Sequence, residues 1–273
     1  MTNQKVVLVT GASSGIGEAT AERLAKAGYK VYGTSRRGTQ AGKQSFDMIA
    51  LDVTSDESVV AAVQEVMRLE GRIDLLVNNA GFSVAPGGAE ESSIGQAQSI
   101  FDTNFFGIVR MTRAVVPHMR SAGSGRIINI GSVLGFVPMP YGALYAATKH
   151  AIEGYSESLD HELRIWGIRV SVIEPAYTKT PFNAHFLEPD AKLDAYREVR
   201  AAVKMRVKEV METAEEAGTV AETVLKAASA AHPKLRYTPA GLASQLRLLR
   251  RFAPAELFDA AIRKDLRLNT PRA

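Results

Sequence analysis

The chain contains no cysteine among its 273 residues, which excludes disulfides and thiolate metal sites. Its five histidines, His118, His150, His161, His185 and His232, show no ligand spacing and read as ordinary surface or core residues. No run reaches the ~18 apolar residues that a membrane span needs, and Met1–Lys5 offers no apolar signal segment ahead of the first strand-like run. Internal repeats and low-complexity segments are missing too. Charge is nearly balanced, with 33 basic against 29 acidic residues and a net charge of +4, too modest to suggest nucleic-acid recognition. Lack of cysteine is compatible with a cytoplasmic location, which is the expectation. With 46% hydrophobic residues, a chain of this length buries a substantial core as one domain spanning residues 1–273.

Strand-like and helix-like segments alternate through the first two-thirds. Candidate strands are Val6–Thr10, Lys30–Thr34, Met48–Leu51, Leu75–Val77, Arg126–Ile130 and Arg169–Ile173, with a short last one near Leu235–Thr238. Amphipathic stretches lie between them at Ser55–Leu69, Ile94–Met119 and Leu144–Ile165. This alternation predicts an α/β fold: a doubly wound parallel sheet of about seven strands with helices on both faces. Ligands then bind at the carboxyl ends of the strands. Residues 181–212 are expected to form a lid on the substrate side, and 239–273 a C-terminal helical extension.

Two local patterns point to chemistry. The first strand runs into Gly11-Ala12-Ser13-Ser14-Gly15-Ile16-Gly17 and then a helix closed by Gly28. A strand, a glycine-rich turn and a helix start point backbone N–H groups and the positive helix end at a phosphate. Glycines permit the turn and let a pyrophosphate approach, so a Rossmann-type dinucleotide site is expected, against the plain alternative of a tight β–α turn. The second pattern is Tyr145 and Lys149, one helical turn apart and on the same face. A cation beside a phenol favours the phenolate and brings a group of ordinary pKa ~10 closer to useful acid–base chemistry. Such pairs also occur by chance on surface helices.

In order along the chain, Thr10-Gly11-Ala12-Ser13-Ser14-Gly15-Ile16-Gly17, Asn78-Asn79-Ala80-Gly81, Asn104, Ser132 and Tyr145-Ala146-Ala147-Thr148-Lys149 resemble the motifs of the short-chain dehydrogenase/reductase family. The likeness covers Lys5 to about Thr180. Later segments are similar to the branch that holds 17β-hydroxysteroid and retinol dehydrogenases. The resemblance implies an oxidoreductase that interconverts an alcohol and its ketone or aldehyde by hydride transfer from or to a nicotinamide. It makes Tyr145 the general acid/base, Lys149 its activator and a ligand of the nicotinamide ribose, Ser132 the substrate orienter, and Asn104 the holder of a water in a proton relay. It also implies that Asn79-Ala80-Gly81 lines the cofactor, that Asp52 and Val53 lie by the adenine, and that Pro175, Thr178 and Thr180 lie near the nicotinamide amide. The family usually has Pro-Gly where this chain has Pro175-Ala176, a change that restricts φ at that turn.

The second strand ends Thr34-Ser35-Arg36-Arg37. An NAD site typically places a carboxylate there to bind the ribose 2′-hydroxyl. Here Ser35 stands in that place, and guanidinium groups match a 2′-phosphate, so NADP(H) is favoured, with NAD(H) open. The alternative is a solvated arginine pair. For Asp52 the alternative is a turn or helix cap.

Phe136, Tyr141, Phe182 and Phe186, with Val137, Met139 and Leu187, flank Tyr145 in sequence and predict an apolar lining for a lipophilic alcohol or ketone. Some of them are equally candidates for the core. A 3-oxoacyl-thioester reductase and a non-catalytic dinucleotide-binding regulator remain as other readings. In the tail, Leu242, Leu246 and Leu249 recur at helical spacing among arginines. This predicts a helix docked over the cleft with its arginines in water, or a peripheral contact with an anionic membrane. By the resemblance, Ile94–Met119 and Leu144–Ile165 would pair subunits into a homodimer or homotetramer.

Overall fold

A computed structural model describes residues 4–38, 45–182 and 186–268. The strands in chain order are β1 (Val6–Val9), β2 (Lys30–Ser35), β3 (Asp47–Ala50), β4 (Leu75–Asn78), β5 (Gly125–Ile130), β6 (Ile168–Ile173), β7 (Thr178–Lys179), β8 (Glu215–Glu216) and β9 (Arg236–Tyr237). Seven of them form one sheet in the order β3-β2-β1-β4-β5-β6-β9, while β7 and β8 make a separate pair. Every pairing is parallel. From β1 the chain winds out to β3, then returns to β4 on the other side, so the order reverses between β1 and β4. At such a reversal the connecting helices lie on opposite faces and leave a crevice at the carboxyl ends.

The helices are α1 (Gly15–Lys26), α2 (Asp56–Glu70), α3 (Ile94–Phe101), α4 (Gly107–Ser121), α5 (Ala143–Leu163), α6 (Arg197–Glu212), α7 (Ala217–Ser229), α8 (Ala240–Phe252) and α9 (Ala255–Asp265). Successive strand side chains point to opposite faces, and β1 shows the consequence. Val7 and Val9 pack with Ala21 and Leu24 of α1 and Val220 and Val224 of α7. Val6 and Leu8 pack on the other face with Val63 and Val66 of α2, Met111 and Val115 of α4, and Leu159 of α5. A strand buried on both faces reads as an unbroken apolar run, which explains Val-Val-Leu-Val.

The stretch expected as one helix from Ile94 to Met119 is divided. A π-helical turn, Asp102–Phe106, separates α3 from α4. Directly after it α4 lies close against the loop following β3, where a Cβ on Gly107 would come within 2.9 Å of Val53 Cγ2. A π turn adds a residue to the helix and redirects the side chains around it; here Asn104 becomes buried.

The tail also departs from expectation. On α8 the buried face is Ala243 with half-buried Leu246 and Arg247, whereas Leu242, Leu248, Leu249 and Phe252 are exposed. Arg247 turns inward rather than into water, because the Glu174 carboxylate at the end of β6 is buried and Arg247 pairs with it. Two further ion pairs tie the end of the chain to α6: Arg206 to Asp265 at 2.6 Å and Arg267 to Glu209 at 2.9 Å. Among the described residues no helix is long and apolar enough to cross a membrane, and no cluster of potential metal ligands occurs. Residues 183–185 of the expected lid, and the last five residues of the extension, lie outside the described residues.

Candidate active site

The glycine turn follows β1 at the crevice. Gly11 and Gly15 take φ of 65° and 61°, a region that side chains disfavour. Gly17 is fixed by space instead: a Cβ there would lie 2.2 Å from the Gly11 oxygen and 2.4 Å from Asn79 Nδ2. Asn79 holds the turn in shape, its Nδ2 donating to the carbonyls of Thr10 and Gly11, each at 3.0 Å. Thr10 Oγ1 in return accepts from the amides of Asn79 (2.9 Å) and Ala80 (3.0 Å). Ser14, the N-cap of α1, makes no side-chain capping bond, so its first-turn N–H groups face the crevice without a side-chain acceptor. Ser13 is half-buried, and Ile16 packs on the core beneath. Thr180 closes the turn from above, its Cβ 3.1 Å from where a Gly15 side chain would begin.

Around this turn the other expected cofactor residues fall in different settings. Arg36 and Arg37 are exposed just past β2, and among the described residues neither forms an ion pair. Ser35 Oγ donates to the Gly38 carbonyl at 3.2 Å. Asp52 accepts from the Thr54 amide at 2.9 Å and its hydroxyl at 2.7 Å. These bonds, with help from Arg36 and Arg110, hold its carboxyl below the usual range; the structure thus gives Asp52 a turn-forming role. Val53 is buried against the Gly107 position. Gly81 lies beside Asn104, where a Cβ would stand 3.0 Å from Asn104 Oδ1.

Ser132, Tyr145 and Lys149 meet at the carboxyl end of β5. Ser132 is extended and caps a short 3-10 turn, Val133–Gly135, its Oγ accepting from the Leu134 amide at 3.1 Å. The same hydroxyl lies 3.4 Å from the Pro175 carbonyl and near enough to Tyr145 to favour its ionised form. Lys149 Nζ sits 5.4 Å from the centroid of the Tyr145 ring and donates to the Ile130 carbonyl at 2.8 Å. Burial lowers the Lys149 ammonium to about 8, while the charge of Glu153 opposes the fall. For Tyr145 the balance runs against the expectation that the cation lowers its pKa. Burial raises the phenol above its ordinary value, and the neighbouring Ser132 hydroxyl offsets this only in part. The reason is geometric: Lys149 is engaged with a backbone carbonyl, not with the phenol oxygen.

Asn104 clamps the neighbouring loop, accepting from the Phe82 amide at 2.9 Å and donating to the Phe82 carbonyl at 2.8 Å. Its Nδ2 also reaches Thr148 Oγ1 at 3.3 Å, and that hydroxyl donates to the Tyr145 carbonyl at 2.8 Å. Thr148 therefore links Asn104 to the helix that carries Tyr145, a role sequence reasoning passed over although Thr148 sits inside the motif. Pro175 and Thr178 occupy the turn after β6, where Thr178 Oγ1 donates to the Ala176 carbonyl at 3.1 Å. Ala176 is not among the residues with positive φ, so the turn here takes no conformation that needs a glycine.

Of the apolar residues, Phe182 lies 6.1 Å from the Tyr145 ring and Phe186 5.6 Å from Phe182, a row of rings leading from the phenol. Tyr141, at φ 64°, stacks edge-on with Tyr196 at 6.3 Å. A small cleft between these segments is lined by Val84, Gly88, Tyr141, Tyr145 and Pro189. Phe136 instead meets the Arg247 guanidinium of α8 at 5.8 Å.

Comparison with known proteins agrees with this arrangement. Residues 5–191 match the family profile described as short chain dehydrogenase. The chain is 44% identical over 181 residues, 66% of each protein, to the 3-ketodihydrosphingosine reductase of Bacteroides thetaiotaomicron. It is 37% identical to human 17-beta-hydroxysteroid dehydrogenase type 1, over 85% of this chain and 76% of that one. Among solved structures, a short-chain dehydrogenase from Streptomyces avermitilis superposes with a TM-score of 0.80 at 30% identity, covering 100% of both chains. A 3-ketoacyl-(acyl-carrier-protein) reductase from Brucella melitensis, complexed with NADH, does so with a TM-score of 0.71 at 28% identity, over 86% of this chain and 97% of that one. With its glycine turn, its serine after β5 and its Tyr-x-x-x-Lys helix turn on one crevice, the chain belongs to the short-chain dehydrogenase family of oxidoreductases, acting on CH–OH groups with NAD(P).

Proposed function

We propose that the protein is an NADPH-dependent reductase of lipophilic ketones, able to run in reverse as an alcohol dehydrogenase, with Tyr145 as the general acid/base. The observation that carries this reading is the meeting of Ser132, Tyr145 and Lys149 beside the glycine turn: the Lys149 ammonium lies 5.4 Å from the phenol ring, and the Ser132 hydroxyl is near enough to ease ionisation of the phenol. The uncapped start of α1 and the space kept clear by Gly11, Gly15 and Gly17 suit a pyrophosphate. Absence of a carboxylate after β2, together with the exposed Arg36 and Arg37, favours a 2′-phosphate. Once bound, the nicotinamide supplies or accepts the hydride.

The chain's own residues then act on oxygen and its proton. Ser132 orients the substrate carbonyl by hydrogen bonding. As carbon receives the hydride, Tyr145 passes its phenolic proton to the developing alkoxide, and the product leaves as the alcohol. The phenolate that remains is stabilised by the Ser132 hydroxyl and the Lys149 ammonium, which is the electrostatic use of the pair. Because burial raises the Tyr145 pKa, the phenol is held protonated at neutral pH, the form that reduction requires. The reverse reaction needs the phenolate and is favoured as pH rises.

The row Tyr145–Phe182–Phe186 supports an apolar substrate. A 3-keto substrate is supported by two of the similar proteins, the Bacteroides and Brucella reductases, whose names each specify one. NADPH oxidation measured across ketones of graded chain length, with and without a 3-keto group, tests the reading. Turnover should rise with apolar length; turnover confined to short polar carbonyls would overturn the substrate class.

A further inference from the structure

Behind Lys149 lies a group of buried charges that the proposed chemistry leaves unused. Glu153 is one helical turn beyond Lys149 on α5, so Tyr145, Lys149 and Glu153 share one face at i, i+4 and i+8. Its stem runs under the turn that carries Ser132: a Cβ on Gly135 would stand 2.8 Å from Glu153 Cγ, and one on Gly131 3.2 Å from Glu153 Oε1. Glu174 immediately precedes Pro175, whose carbonyl accepts from the Val133 amide at 3.0 Å and faces the Ser132 hydroxyl. Both acids thus adjoin the backbone that shapes the site.

Three elements supply the countercharge. Arg236 of β9 donates to Glu153 Oε2 at 2.9 Å and to Glu157 Oε2 of α5 at 2.7 Å, and its Nε lies 3.6 Å from Glu174 Oε1. Arg247 of α8 pairs with Glu174 Oε2. Glu153 Oε1 and Glu174 Oε1 are buried and accept no hydrogen bond. Three carboxylates, Glu153, Glu157 and Glu174, therefore share two guanidinium groups, with Lys149 one helical turn before Glu153 on the same face.

We propose that Glu153 is a positioning residue for Lys149, its carboxylate holding the ammonium as a cation beside Tyr145, and that the Arg247 guanidinium sustains Glu153 in that role by its own charge. In that arrangement the docking of α8 sets the electrostatics of the active site from the far end of the chain. The reasoning rests on the roles of Tyr145 and Lys149 given above. Burial and the neighbouring Glu153 push the Glu174 carboxyl up to about 7, and Arg247 opposes this. Burial also raises Glu153, with Arg236 and then Arg247 opposing, while Glu153 is the charge that opposes the fall of Lys149. Loss of Arg247 consequently leaves more of Glu153 protonated and less of Lys149 charged. A direct through-space effect of losing a cation has the opposite sign, because it would ease protonation of Lys149.

That difference in sign makes the idea testable on the full-length protein without cofactor. Lysines labelled with 13C at Cε are titrated by NMR, the Lys149 signal being assigned by its loss in Lys149→Arg. Glu153→Gln should lower the Lys149 midpoint by about 1 pH unit, the lower end of what an adjacent opposite charge does. Arg247→Gln should lower it by less, the double variant no further than Glu153→Gln alone, and Arg247→Lys should restore it. An unchanged midpoint in Glu153→Gln, or a raised one in Arg247→Gln, would overturn the proposal. Should Glu153→Gln fail to fold, the sign in Arg247→Gln decides alone. Failure of the proposed reductase activity shows separately, as a wild-type chain whose Lys149 titrates as described yet turns over no ketone.

Discussion

Gly17 and Arg36 mark two different kinds of demand that a site makes on single residues. Gly17 is required by space, since any Cβ would press on the Gly11 oxygen and the Asn79 amide. Gly17→Ala should cost about 1–3 kcal/mol of stability, the usual penalty of forcing an atom into packed surroundings. It should also weaken NADPH binding at least tenfold, read by thermal unfolding and by a fluorescence titration; unchanged values for both would show that the turn is looser than described. Arg36, in the proposed function, serves by charge. Two charge-assisted hydrogen bonds to a 2′-phosphate are each worth about 1.5–3 kcal/mol. Arg36→Asp should therefore erode most of the preference for NADPH over NADH. Equal Kd values for the two cofactors in the native protein would refute the cofactor assignment. The demand on Gly17 was legible in the sequence, because glycine after a first strand carries a local meaning; Arg36 is exposed after β2 as the sequence suggested, and its part in cofactor choice is a proposal. The direction of the Tyr145 pKa was not legible, since it depends on how deeply the folded chain buries the phenol.

At the scale of elements, β-branched runs and their spacing identified every strand of the main sheet to within a few residues. What periodicity could not show was the π turn at Asp102–Phe106, because adding one residue to a helix leaves the apolar pattern almost intact. Nor could it show which face of α8 docks. The leucine stripe suggested Leu242, Leu246 and Leu249, yet of these only Leu246 is on the docked face, beside Ala243 and the Arg247 that pairs with a buried carboxylate on another element. Glu174 has its own pH signature. Its folded pKa of about 7 lies above the ordinary 4.5, so between those values the folded state binds more protons than the unfolded one. Its contribution is therefore fully present below pH 4.5 and is lost as pH rises through 7. Glu174→Gln should flatten the decline of Tm between pH 5 and 8, and a decline as steep as in the native protein would contradict the assignment.

For the whole molecule, the tail is the part whose role changed most between sequence and structure. Expected as a helix docked over the cleft with its arginines in water, it supplies Arg247 to a buried acid and two ion pairs to α6. A chain ending at Thr238 leaves Glu174 without Arg247, at a cost below the roughly 3–5 kcal/mol of breaking a fully buried pair, because the Arg247 side chain is 40% exposed. Truncation should thus lower Tm and impair turnover of short and long ketones alike; a stable product that loses only the long ones would restore the simple lid. The identity of the reaction is tested most directly at Tyr145. With a 3-keto substrate of the best chain length, NADPH oxidation by Tyr145→Phe is compared with the native protein while NADPH binding is titrated on both. The expected result is a fall in kcat of about 10²–10⁴-fold, the range general acid–base catalysis supplies, with NADPH Kd unchanged. Turnover within a few-fold of native would show that the proton comes from elsewhere.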